Sequence, residues 1–263
     1  MGHLNVRHYL ARAEDALAIL LASHAIPPRA VTTQHIRYHR ETRAGTPLRI
    51  DGGFTRAGTT PQAYFEFISP YDGVLRATLI ADLADGPPVA PPCLALPARG
   101  APRGLTPAAP AGGASLAAAA EAGLMEIYRG LVHREQTDPA GMLRPHQVIG
   151  IISDGVAHLM MHITPGRAEG PLTGGIGGAA LEQRLHFLAL PRIGDILTVR
   201  SGVISAEAKT MRFVHWLLNA RTGEICATCE VVAVAFDLTT RRAVAVTDAV
   251  RTRVSELAVQ VSA

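Results

Sequence analysis

Lysine is nearly absent from this chain. Lys209 is the only one, so all but one of the 25 basic residues are arginines. Set against 22 acidic residues, they leave a formal charge of only +3, and no run of five or more basic residues occurs. That balance offers no basic face for nucleic acid. The arginine usage, with abundant alanine, reads first as nucleotide-composition bias. An arginine preference at phosphate-binding positions is a second reading that composition does not separate from it. Cysteine is scarce as well. Cys93, Cys226 and Cys229 are too few for a disulfide framework. Cys226-Ala-Thr-Cys229 has the spacing of a redox or zinc half-motif, but no second pair completes a metal site. It also lies in a β-like run, where residues three apart face opposite sides of a sheet. No cofactor or metal is therefore expected. Long apolar runs are missing too: none reaches the roughly 18 residues of a membrane span. Ala16 to Ala22 is apolar, yet Glu14 and Asp15 stand directly before it, where a secretory signal carries positive charge. Val6 occupies the position where a myristoylation pattern needs Ser or Thr. These absences point to a folded protein of the cytoplasm, with neither nucleic acid nor membrane as partner. With 263 residues, 48% hydrophobic and 18% charged, the chain can bury one large core or two modest ones.

What is present falls into two similar halves. Asn5 is a good N-cap, and Leu10, Ala13, Leu17 and Leu20 recur at helical spacing up to Ser23. Four β-like runs follow, Val31–Arg40, Pro47–Phe54, Gln62–Ile68 and Val74–Leu83, parted by glycine turns. Residues 86–114 are mostly Pro, Ala and Gly and read as an exposed, poorly packed linker between a first domain (1–85) and a second (115–263). Ser115 to Ala122 adds a short helix. Then come a strand (Leu124–Arg134), the turn Asp138-Pro139-Ala140-Gly141, and a helix from Pro145 to Ile163 that is apolar almost all round. A glycine-rich loop (Gly166 to Gly178) leads to strands Ala180–Leu190, Asp195–Ile204, Met211–Leu218 and Glu224–Phe236. A helix (Asp248–Val259) closes the chain. The loop does not follow a strand and open a helix, so it is not a dinucleotide loop; it reads as a flexible connection able to gate a pocket.

Three matches in the same order indicate duplication. Gly45-x-x-Leu48-x-Ile50 answers Gly194-x-x-Leu197-x-Val199, and Gly73-x-x-x-Ala77-Thr78 answers Gly223-x-x-x-Ala227-Thr228. Gly2 before the first helix answers Gly141 before the second, so Asp15 answers Asp154. The unit is a strand, a long helix and four antiparallel strands, and a helix that apolar has to be wrapped by its sheet. The counterpart of the strand Leu124–Arg134 would lie before Met1, so the first unit lacks it and leaves a sheet edge unpaired. A longer reading frame upstream is the corresponding expectation.

Two motifs carry a family resemblance. Gly2-His3-Leu4-Asn5, with Tyr9 and Glu14, resembles the Gly-His-(hydrophobic)-Asn stretch of the hot-dog thioesterases. Asp138-Pro139-Ala140-Gly141 resembles the Asp-x-x-Gly turn of their 4-hydroxybenzoyl-CoA thioesterase group. The resemblance implies an α+β fold of two tandem hot-dog domains, each an antiparallel sheet wrapped around a central helix. It implies hydrolysis of an acyl-CoA, with an acyl-carrier-protein thioester as a further substrate type. The chain departs from the pattern in having Met142-Leu143-Arg144 where His and Asn are expected, and no Asp before Gly2. A catalytically inactive acyl-binding protein is therefore the rival reading. The Asp-x-Asn-x-x-His signature of the hydratase relatives is missing. Self-association through sheet faces suits such a fold, but no residue specifies a homo-oligomer.

Hydrolysis of a thioester needs a carboxylate and N–H donors for the oxyanion. Asp138 stands before a helix whose first-turn amides point into the same space, or it simply opens a turn. Asp154, His158 and His162 share one helix face. This stripe is either a metal site or a polar stripe that faces the partner half or forms a buried cluster, with Asp154 as an acyl-pocket lining and a second candidate catalytic carboxylate. Glu14 is a third carboxylate, reactive or merely solvated. Gly141 and Arg144 near Asp138 are expected to bind substrate, with the amides of Arg144 and His146 as oxyanion donors. The helix carrying Asn5, Tyr9 and Glu14 is expected to form the pocket floor from the facing half, and His3 and Asn5 to orient substrate, although Asn5 also suits a plain helix cap.

Overall fold

A computed structural model describes residues 2–57, 60–86, 93–105, 113–164 and 175–261. The first half is helix α1 (Val6–Ser23) and strands β1 (Val31–Tyr38), β2 (Arg49–Ala57), β3 (Thr60–Ile68) and β4 (Leu75–Leu83). The second is a short helix α2 (Leu116–Glu121), β5 (Met125–Leu131), α3 (Pro145–Ile163), β6 (Ile176–Phe187), β7 (Ile196–Ala206), β8 (Thr210–Asn219), β9 (Ile225–Asp237) and α4 (Asp248–Leu257). Local chemistry sets the helix starts. Asn5 Oδ1 accepts the Arg7 N–H at 3.0 Å, Ser115 caps α2, Pro145 opens α3 and Thr247 caps α4.

Among the described residues, nine strands join in one antiparallel sheet, in the order β2-β3-β4-β1-β6-β9-β8-β7-β5. The halves meet at β1 and β6. There Gln34 faces Leu185 and Ile36 faces Gln183, and a step of 149 positions turns one pair into the other. That register is an internal two-fold axis through the His35–Arg184 pair. The repeat extends into the loops. Leu4 N–H donates to Thr42 O, and Leu143 N–H donates to Pro191 O; Ala44 N–H donates to Gly2 O, and Ile193 N–H donates to Gly141 O. The matched turn glycines share a left-handed conformation, with φ of 82° and 85° at Gly45 and Gly194.

Helices α1 and α3 lie side by side and antiparallel on the inner face of the sheet. Asn5 meets Ser153 and Glu14 meets His146, while Arg7 lies against Gly150. α3 is less buried than its composition suggests: Asp154, Ala157, His158, Met161 and His162 are exposed. Gly155 lets the helix touch β5, because a Cβ there would stand 2.8 Å from Ile127 O.

Two expectations are corrected. Residues 93–105 are largely exposed but not loose: they lie across the outer face of the sheet, from the β2 edge to the β1–β6 seam. Arg37 donates to Arg99 O and Ala101 O, Glu182 accepts the Arg103 and Gly104 N–H groups, and Leu105 is buried. Charged groups clip this segment down where its composition supplied no apolar reason to pack. Gly177 and Gly178 belong to β6 rather than to a loop; the candidate gate at 165–174 lies outside the described residues. As expected, β2 ends the sheet among the described residues with no counterpart of β5 beside it, whereas its own counterpart β7 pairs with β5. That edge is not wholly bare, since Leu94 N–H donates to Phe54 O at 2.7 Å.

Candidate active site

The internal two-fold relates two places where a helix N-terminus meets the facing helix. They are the α3 end, approached by α1, and the α1 end, approached by α3. The residues singled out from sequence are divided between them.

Asp138, Gly141, Arg144 and Glu14 gather at the α3 end. Asp138 Oδ1 accepts the N–H groups of Ala140 and Met142, both at 2.9 Å, which closes a tight loop before the helix. Gly141 has φ +78°, and its N–H donates to Asp138 O. Arg144 is the N-cap, and its Nε donates to Thr137 O. These residues, with Arg134 and Ile193, line an open cleft of about 460 Å³. Glu14 reaches the first turn of α3 from the other half. His146 N–H donates to Oε1 at 2.7 Å, and His146 Nδ1 lies 2.8 Å from Oε2. A carboxylate thus sits on the positive end of α3. This contact spans 132 positions of sequence, and no motif announces His146. Only its place in the first turn of a helix hinted at it.

The proposed oxyanion donors are both engaged. His146 N–H is held by Glu14, and Arg144 N–H donates to Gln136 O at 3.0 Å. Every other N–H from Asp138 to Gln147 also has an acceptor.

His3, Asn5 and Tyr9 lie at the α1 end and do not join Asp138. His3 forms an isolated bridge with Arg43, and Asn5 caps α1 with its amide 3.5 Å from Ser153 Oγ. Tyr9 is buried edge-to-face against Tyr38 and Phe67. Of the helix expected to floor the Asp138 cleft, Glu14 reaches the α3 end, whereas Asn5 and Tyr9, with His3, stay at the opposite end, because the two helices are antiparallel. The two-fold step of 139 that relates the helices sets Ser153 against Glu14 and Arg7 against His146. A hydroxyl thus replaces the carboxylate at the α1 end.

Asp154 belongs to neither end. With His158, Tyr128 and Glu126 it lines a groove of about 320 Å³ between α3 and β5. It faces solvent there, not the partner half or a buried cluster, because β5 packs on that side of α3. Among the described residues no group of three His, Cys, Asp or Glu is placed to hold a metal. Cys226 and Cys229 are buried free thiols, and burial pushes the Cys226 thiol up to about 11.

Residues 132–254 match the model of the thioesterase-like superfamily. No curated protein matches the sequence. Among solved structures, the 12:0-ACP thioesterase of Umbellularia californica superposes with a TM-score of 0.65 at 10% identity, over 89% of this chain and 88% of that one. An acyl-ACP thioesterase of Bacteroides thetaiotaomicron gives 0.58 at 9% identity, over 88% and 90%. These likenesses run across both halves, and the fold is a tandem hot-dog arrangement. Among the described residues no helix is long and apolar enough to cross a membrane.

Proposed function

We propose that this tandem hot-dog protein, thioesterase-like in its second half, hydrolyses acyl-CoA thioesters to free acid and CoA at the α3 end. The observation that carries the reading is the carboxylate oxygen of Glu14 on the His146 amide, 2.7 Å away. It marks a point in the first turn of α3, the helix that the Asp138 loop leads into, where a negatively charged oxygen is accepted. The tetrahedral intermediate of thioester hydrolysis carries such an oxygen. In this mechanism Glu14 swings off as the thioester carbonyl takes its place. Asp138 has Oδ1 bound to its own loop, and Oδ2 serves the reaction. It activates a water, or attacks the carbonyl carbon itself. The C–S bond then breaks, the CoA thiolate leaves and takes up a proton, and the second oxygen of the acid comes from water. Arg134 and Arg144 at the cleft are suited to the CoA phosphates.

A second reading, an acyl-binding protein without turnover, has its own observation: every N–H from Asp138 to Gln147 is already satisfied. Release of free thiol from a panel of acyl-CoAs, run beside acyl-carrier-protein thioesters, tests both. Turnover abolished by Asp138→Asn is the expected result. Saturable binding with no thiol release from any substrate would favour the second reading.

A further inference from the structure

The inner face of the seam carries two glutamines related by the internal two-fold, Gln34 on β1 and Gln183 on β6. Their surroundings differ. Tyr38 lies two residues beyond Ile36, the cross-strand partner of Gln183, and its hydroxyl donates to Gln183 Oε1 at 2.8 Å. Phe187 lies two residues beyond Leu185, the partner of Gln34, and occupies the equivalent diagonal. A phenylalanine has no hydroxyl. Gln34 is 1% exposed, and its Oε1 has no hydrogen-bond partner among the described residues. Such a group costs folding free energy unless something fills the bond.

The rings around it differ in the same sense. At the α1 end Tyr9, Tyr38 and Phe67 pack edge to face. The same steps along the chain place Val148, Phe187 and Leu217 at the α3 end, where Phe187 and Leu217 both sit opposite Ala227. Two of three rings are replaced by smaller aliphatic side chains there, under the helix turns that follow Asp138 and His146.

We propose that Gln34 is a specificity-determining residue: its carboxamide hydrogen-bonds a hydroxyl carried by the acyl group bound at the α3 end. The substrate hydroxyl takes the part that Tyr38 plays for Gln183. The α1 end, filled by its own rings and phenol, takes no acyl group. The inference rests on the α3 end as the acyl site, and it adds the class of acyl group and the residue that selects it.

The test is binding, not turnover. The probes are ketone analogues of acyl-CoA, with a methylene replacing the thioester sulfur, unsubstituted or hydroxylated at successive carbons. Calorimetry on the full chain should show one hydroxylated analogue bound about ten- to a hundredfold more tightly than the unsubstituted one. Gln34→Leu, close in size, should remove that preference. Phe187→Tyr should supply the missing phenol, raising Tm and weakening the hydroxylated analogue. Tyr38→Phe, at the other end, should leave the preference intact. Equal affinity for all analogues in the parent, or a preference that survives Gln34→Leu, overturns the inference even if thioesters are hydrolysed. A preference present without any thiol release supports Gln34 and counts against the hydrolytic reading alone. Failure of every analogue to bind removes both.

Discussion

Asp138 gives one carboxylate oxygen to its own loop and keeps the other for the cleft. Asparagine at this position retains the acceptor for the Ala140 and Met142 amides. Asp138→Asn should therefore fold with an unchanged melting curve while thiol release falls about a hundredfold or more. Glu14 behaves differently in this scheme. It bonds the first turn of α3 with both oxygens, so Glu14→Gln should cost about 1–2 kcal/mol in urea unfolding. Its thiol release should stay within about tenfold of the parent. If Glu14→Gln instead loses as much rate as Asp138→Asn, Glu14 is the reacting carboxylate. A third carboxylate, Glu182, reports on stability. Burial pushes its pKa up, but hydrogen bonds from His35 and from the Arg103 and Gly104 amides more than offset this and hold it at about 2, against 4.5 when unfolded. The group is depressed on folding, so it stabilises fully above about pH 4.5 and loses that contribution as pH falls towards 2. The contribution is about 3 kcal/mol. Glu182→Gln should lower neutral-pH stability and flatten the acid limb of the stability curve; an unchanged limb would mean that the clip contributes nothing.

At the level of elements, the contact between α3 and β5 is the tightest backbone approach that bears on the site. Gly155→Ala drives a Cβ to 2.8 Å from Ile127 O, and a backbone atom cannot step aside as a side-chain tip does. A loss of about 1–3 kcal/mol is expected, read as a lower urea midpoint at constant slope. An alanine variant as stable as the parent would show that β5 can shift. The elements were legible from short-range signals. The Asn5 cap, the Pro145 start and the glycine turns act within one or two turns of chain, so α1 and α3 begin where their sequences indicate. Packing of residues 93–105 was not legible, because Arg37 on β1, Glu66 on β3 (bound by Arg99) and Glu182 on β6 hold that segment, and its own composition is that of a loose linker. Division of the site residues between two ends was equally hidden. His3, Asn5 and Tyr9 belong to the same stretch of chain as Glu14, but two antiparallel helices bring only one end of α1 to Asp138.

For the whole molecule, the halves share one sheet and one helix pair, so they should unfold together. Trp216, the only tryptophan, lies in the second half, whereas far-ultraviolet dichroism reports both. Coincident urea transitions by the two probes are expected, and a displaced tryptophan transition would show halves that melt separately. The sequence by itself determined the duplication: matched glycines and helix starts are local requirements of φ and capping, and they recur in the same order in both halves. It also determined the fold class, because period-two strands around an apolar helix admit few ways to be buried. Only the tertiary structure decided that β1 and β6 join, which fixes the two-fold axis. It alone decided that Glu14 reaches His146, that Asp154 faces away, and that Gln34 lacks the phenol its twin enjoys. Each of these depends on side chains brought together from more than a hundred positions apart or on the face a strand or helix turns inward, and no local preference encodes such distances.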